Sequence, residues 1–245
     1  MSVVVFTGPT LAPADAESLS EHVTALGPAS MGSVYRAVRD LRPTAVVLVD
    51  GLYETVPAVW HRELLQAMAQ GVHVVGGASM GALRAAELAP FGMLPAGDIA
   101  RQYLAGELTD DDEVAVVHAP ARSGYRKLSE ALVNIRATLD RAVATSALST
   151  GDRNSLVALA KRAFYPDRSY AALVSAGGAA GTRLGEYLRR AEPVDQKRVD
   201  AVEAVRWGIA LHTAGQPHRP NFAWEHTSSW RLLTTVEDRE WVDDE

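Results

Sequence analysis

The sequence predicts an α/β chain: a short, mostly parallel sheet with flanking helices in the N-terminal half, followed by an all-helical C-terminal half. Three observations predict it. Near-continuous apolar runs of four or five residues recur before residue 80, as in strands buried on both faces. Stretches with apolar residues at helical spacing separate these runs, as right-handed crossovers between parallel strands require. After Pro120 helical patterns fill nearly everything.

The elements follow in order. Residues 3–6 form a β-branched first strand ending in Thr7-Gly8-Pro9-Thr10, followed by a helical stretch over 15–26. A second strand over 45–49 ends at Asp50-Gly51. A helix over 57–70 follows, with Val56, Trp60, Leu64 and Ala67 in step and Pro57 suited to a first turn. The third strand, 72–75, runs through Gly76-Gly77 into a helix over 82–88, and a fourth strand is expected over 114–118 behind Asp110-Asp111-Asp112-Glu113. Helices are expected over 128–144, 154–165, 169–175, 183–191 and 195–213, with a flexible break at 177–181 and a turn at 216–220. Leu156, Leu159, Ala160, Ala163 and Phe164 form an amphipathic stripe. This divides the chain into a core over 1–120, a helical region packed on it over 121–232, and a frayed acidic tail over 233–245.

Composition narrows the function. A chain of 245 residues with 47% hydrophobic and 22% charged residues is an ordinary globular protein able to bury a large core. It has no cysteine, which excludes disulfides, iron–sulfur clusters, thiolate zinc sites, a cysteine nucleophile and a persulfide carrier. The net charge of −6 argues against nonspecific nucleic-acid binding. The N-terminus has no basic segment before its apolar run and reads as a strand, not a signal peptide. No apolar run approaches the roughly 20 residues needed to span a bilayer, so a cytoplasmic protein is expected. Of the 24 basic residues only Lys127, Lys161 and Lys197 are lysines, so any neutral-amine base must be one of three.

The strongest local signal is Gly77-Ala78-Ser79-Met80-Gly81 between an apolar strand and an Ala-rich helix. That setting suits a nucleophile elbow, with Ser79 at the turn and helix N-terminal amides behind it for an oxyanion. It suits equally a tight turn with Ser79 as N-cap. Gly8, Gly77, Met80 and Gly81 are the candidate loop donors. A histidine base would be one of His118, His212, His218 or His226. Ser79 follows the third strand with no His-Gly-Gly segment ahead of it, which fits a Ser-His-Asp triad poorly. A desolvated lysine is the other solution. Lys161 ranks first because its helical neighbours Val157, Phe164 and Tyr165 are apolar. Lys197 ranks second because Asp200, one turn away, would hold it protonated, and Lys127 is expected to be solvated. A working pair should lie roughly 3 Å apart.

Other polar groups have plainer readings beside functional ones. The loop Asp50-Gly51-Leu52-Tyr53-Glu54 sits where open α/β sheets bind ligands, or is simple turn chemistry. Asp50, Glu54, His61 and Arg84 are the candidate binding residues, although Trp60-His61 also reads as helix packing with a surface imidazole. Consecutive carboxylates at 110–113 lack the spacing of a calcium loop and read as a solvated face or a docking patch for a basic partner. No metal site is indicated.

Several long words resemble the TfuA-like family core: Asp50-Gly51 with Val56-Pro57-Ala58-Val59-Trp60-His61, and the run from Gly77 through Leu88 with Pro90-Phe91-Gly92-Met93. So do Asp110–Val116 and Leu128–Arg136, the resemblance running from about residue 45 to about 170. Ala160-Lys161 with Phe164-Tyr165, and Asp195-Gln196-Lys197-Arg198 with Asp200-Ala201, are similar to later family blocks. The resemblance implies a partner of a YcaO enzyme in peptide-backbone thioamidation, one that hydrolyses the C-terminal thiocarboxylate of a ThiS-type sulfur carrier with a Ser–Lys pair and no cofactor. It also implies that the peptide substrate is met through YcaO. A non-catalytic adaptor and a small-molecule serine hydrolase are the alternatives, and a homo-oligomer is left open. One departure is Arg62, where the family word has lysine; an arginine cannot act as a neutral base.

Overall fold

The computed structural model describes residues 2–52, 54 and 56–240. Its five strands are all parallel, in the order β2-β1-β3-β4-β5. The chain runs β1 (Val3–Phe6), α1 (Pro13–Glu17), β2 (Val23–Leu26), α2 (Ser33–Leu41), β3 (Ala45–Leu48), α3 (His61–Ala69), β4 (His73–Gly77), α4 (Met80–Leu88), β5 (Leu94–Ala96) and α5 (Gly97–Leu104). Helices α6 (Leu132–Ala144), α7 (Thr150–Arg162), α8 (Tyr170–Ala176), α9 (Gly178–Leu188), α10 (Gln196–Ala214) and α11 (Ser228–Glu240) complete it. The expected fold class is therefore the observed one.

Strand alternation decides the layers. Val4, Phe6, Val46, Leu48 and Val74 face α2, α3 and α4, while Val3, Val5, Val47, Val49 and Val75 face the other way. That second face is closed by α1 and by Ala201, Ala204 and Val205 of α10, a helix from the C-terminal half. Gly208 lets α10 approach closely, since a Cβ there would stand 2.5 Å from Val47 Cγ2. A separate core of Leu132, Ile135, Leu139, Leu156, Leu173 and Leu184 joins α6 through α9.

Several boundaries differ from the sequence reading. Residues 15–26 are not one helix: α1 is five residues long and Val23–Leu26 is an edge strand pairing Val3 with Val23. A strand with one neighbour has no fully apolar pattern to betray it. The short edge strand β5, which contains Pro95, and the helices α2 and α5 were not expected at all. The strand expected over 114–118 is irregular: Lys197 Nζ donates to the Val114 carbonyl (2.7 Å) and Val117 N–H to Ser129 Oγ (2.8 Å), and an isolated antiparallel bridge joins His118 to Lys127. The break expected at 177–181 shrinks to Gly177, with α9 starting at Gly178. Residues 233–240 continue α11, and the rest of the expected tail, 241–245, lies outside the described residues, as does Tyr53.

Candidate functional site

The chain reverses its direction across the sheet between β1 and β3, which opens a crevice at their C-terminal ends. A cleft of about 290 Å³ lies there, lined by residues that follow β1 (Pro9), β3 (Asp50, Gly51, Leu52) and β4 (Ser79, Met80, Leu83), with 114–118, Asp111 and Tyr165 opposite. Most of the lining is apolar. Asp50, Asp111, His118 and Tyr165 are its titratable side chains among the described residues.

The turn that presents Ser79 is built from small residues because nothing larger fits. A Cβ at Gly81 would lie 1.7 Å from the Leu48 carbonyl oxygen, and one at Gly76 2.2 Å from that of Gly81. Ala78 is the strained member, buried at φ +65, a conformation that costs an L-residue about 1–2 kcal/mol. Ser79 follows at the N-cap position of α4, half-buried, yet its hydroxyl makes no capping bond and has no hydrogen-bond partner among the described residues. Of the expected loop donors, Gly8 N–H is taken by Asp50 Oδ2 (2.9 Å) and Gly81 N–H by the Val49 carbonyl (3.1 Å). Neither is available to an oxyanion. Gly77 serves as the last strand residue, its carbonyl accepting from Ser79 N–H at 2.8 Å. Met80 N–H and Gly51 N–H have no acceptor among the described residues. Nothing in the local sequence distinguishes Gly51, with its N–H free among the described residues, from a turn glycine.

Asp50 is buried with its oxygens accepting from Gly8 N–H, Thr10 N–H (3.0 Å) and Thr10 Oγ1 (2.6 Å). It ties the β1 loop to the β3 end and so shapes the cleft floor. Glu54 is exposed and accepts from Tyr165 Oη (2.8 Å) at the cleft rim; burial, then that carboxylate, push the phenol up to about 12.

The lysines reverse their expected order. Lys161 Nζ lies 2.5 Å from Asp112, 2.8 Å from Asp110 and 3.4 Å from Glu113. Partial burial opposes its charge, but the carboxylates outweigh that and raise its pKa. It is a clasped cation, not a neutral base. The acidic run is therefore a solvated face only in part: Asp110 and Asp111 are exposed, whereas Asp112 is half-buried and Glu113 is buried. Asp112 also pairs with the fully buried Arg168, and Glu113 takes two bonds of 2.9 Å from Arg136. Among the described residues no group of side chains is arranged to hold a metal ion.

Lys197 is fully buried at the start of α10, and desolvation lowers its pKa, the more distant Asp50 opposing. Asp200 does not hold it protonated. Its carboxylate turns to the N-terminus of α5, accepting from Ile99 N–H (2.7 Å), and to Gln196 (2.7 Å). Lys197 Nζ instead donates to the carbonyl of Val114, a residue of the cleft wall. No direct hydrogen bond joins Ser79 Oγ to either lysine. Lys127 is half-buried and paired with Asp195 at 2.9 Å.

His61 and Arg84 stand apart from the cleft. Both bind Glu87 on the outer side of α4, each at 2.7 Å, and Arg84 also donates to the Val59 carbonyl (3.1 Å). Their role is to join α3 and its approach to α4. Arg62 stacks 4.9 Å over Trp224 and donates to the Glu225 carbonyl (2.6 Å), so the departure at this position lies under the C-terminal segment and not at the cleft. The sequence reading set aside His118, which the fold places in the same cleft as Ser79. Its neighbours in the chain carry no sign of this.

The parallel α/β sheet thus carries an uncapped serine at a strand-to-helix elbow that opens on an apolar cleft. The family model described as TfuA-like protein matches residues 50–169, which contain the elbow and most of the cleft, and the chain belongs to the TfuA-like family. Membership implies association with YcaO-dependent thioamidation. No curated protein matches the chain. No helix among the described residues is long and apolar enough to cross a membrane.

Proposed function

We propose that this chain releases hydrosulfide from the thiocarboxylated C-terminus of a ThiS-type sulfur carrier, close to a YcaO partner that uses the sulfur in peptide-backbone thioamidation. The observation that carries the reading is the Ser79 hydroxyl, held at a strained elbow, open to the cleft and committed to no internal bond. Ser79 Oγ attacks the thiocarboxylate carbon, and the carbon–sulfur bond breaks. The hydroxyl proton passes to Lys197, whose Nζ exchanges the Val114 carbonyl for the serine, and then to the departing sulfur, which leaves as hydrosulfide. The Met80 and Gly51 amides are the donors for the oxyanion, where one such donor contributes about 3 kcal/mol. Water then frees the carrier. The absence of cysteine fits a protein that acts on sulfur carried by another and never bears it.

The test is hydrosulfide release from a thiocarboxylated carrier. Ser79→Ala is expected to reduce it by about 10³-fold or more without changing the fold; wild-type turnover in that variant contradicts the proposal. The missing direct contact between Ser79 and a lysine favours a second reading, a non-catalytic adaptor that joins carrier and YcaO. Thioamidation driven by excess free sulfide separates the two. An adaptor is still required there, whereas a hydrosulfide-releasing enzyme becomes dispensable.

A further inference from the structure

We infer that His118 is the general base for the second half of this reaction, activating the water that cleaves the acyl–Ser79 ester. The inference rests on the hydrolytic reading above and assigns a residue to a step for which Lys197 is unsuited. Lys197 is sealed from solvent, with its Nζ on the Val114 carbonyl, and does not meet a water entering from outside. The deacylating water must come through the cleft.

Among the cleft's titratable side chains, three are committed elsewhere. Asp50 accepts three hydrogen bonds, Tyr165 donates to Glu54, and Asp111 is engaged with other groups. His118 is half-buried, and its Nδ1 lies 2.9 Å from the Ala119 carbonyl oxygen. A carbonyl only accepts, so Nδ1 carries the proton and Nε2 keeps its lone pair, the tautomer a general base needs. No other partner of the ring nitrogens occurs among the described residues.

The ring is also held in place. His118 pairs with Lys127 in an antiparallel bridge, reinforced by Ala119 N–H to the Arg126 carbonyl (2.9 Å) and Leu128 N–H to that of Val117 (2.8 Å). Tyr125, at the tip of this hairpin, meets the imidazole edge to face with centroids 5.7 Å apart. Tyr125 is in turn seated on glycine: a Cβ at Gly27 would lie 2.5 Å from its Oη. The loops after β1 and β2 thus brace the hairpin that carries His118. In the step, Nε2 takes a proton from water, the hydroxide oxygen bonds to the ester carbon, and the bond to Ser79 Oγ breaks. The proton on Nε2 passes to Oγ, and the carrier leaves as its carboxylate, with the acid proton going to solvent.

The experiment is rapid mixing of thiocarboxylated carrier with wild type and with His118→Asn, whose amide can still donate to the Ala119 carbonyl but cannot accept a proton. Expected for the variant is a burst of one hydrosulfide per site at the wild-type rate, then steady turnover reduced by about 10²-fold or more. Intact mass should show the carrier joined to the enzyme, and a serine-reactive phosphonate should label Ser79 as in wild type. Turnover equal to wild type overturns the inference. So does loss of turnover with neither burst nor adduct, which would place His118 in the first step or in the fold. His118→Ala, with turnover restored by added imidazole, serves as the second variant; absence of rescue counts against the assignment. Wild type that releases no hydrosulfide would instead defeat the hydrolytic reading itself.

Discussion

Lys161 and Lys197 both lie on helices of the C-terminal half, and their surroundings drive them to opposite states. Lys161 meets three carboxylates at the end of α7 and stays a cation. Lys197 meets a carbonyl, is stripped of water and is pushed toward the neutral amine. The first lysine closes a charged clasp with Arg136 and Arg168 that fastens the 110–113 turn to α6 and α7; the second stands behind the wall of the cleft. A lysine's protonation state is set by what the fold brings to its tip, which can differ wholly from what its own helix places beside its stem.

The largest expected effect falls on Lys197. Lys197→Met, which keeps the volume and removes the amine, should lower hydrosulfide release by about 10³-fold. Its stability should equal or exceed wild type, because a buried amine is replaced by an apolar group. The depressed pKa sets the sign of the pH dependence. From the folded-state value up to the ordinary lysine range, the unfolded chain binds more protons than the folded one, so wild-type stability rises with pH. The advantage of Lys197→Met in urea melts should therefore shrink as pH increases. An advantage that grows with pH would show the amine to be charged in the fold.

Next comes the clasp. Asp112→Asn leaves buried Arg168 without its carboxylate and is expected to cost about 2–3 kcal/mol while turnover per folded molecule holds. Lys161→Met should cost about 1–2 kcal/mol, again with turnover within about twofold of wild type. Urea melts beside initial rates check both. A collapse of turnover in Lys161→Met without loss of stability would restore that lysine to the chemistry. The smallest effect belongs to Ala78→Gly. It relieves the positive φ but loosens the unfolded chain and removes a buried methyl group, so the change should stay within about 1 kcal/mol.

Much of this was legible in the sequence. The buried strands at 3–6, 45–48 and 73–77 announce themselves by unbroken apolar runs, and the elbow by small residues between a strand and a helix. The position of Ser79 at that turn is a property of the local pattern. What stayed hidden depends on long-range contact. The edge strands β2 and β5 have only one neighbour and little apolar signature. Asp200, four residues from no lysine but three from Lys197, looks like a partner along the helix, yet the positive-φ Gly97 leaves room for its carboxylate to reach the start of α5 instead. The second half of the acidic run looks solvated until α6 brings it Arg136, α7 Lys161 and the α7–α8 connection Arg168. His118 joins the cleft only because a hairpin folds over the β1 and β2 loops.

The most direct test is the rate at which a serine-reactive phosphonate labels Ser79, read by peptide mass spectrometry in wild type, Lys161→Met and Lys197→Met. The account predicts labelling at the wild-type rate in Lys161→Met and a loss of about 10²-fold or more in Lys197→Met. Labelling that survives in Lys197→Met and disappears in Lys161→Met would contradict it.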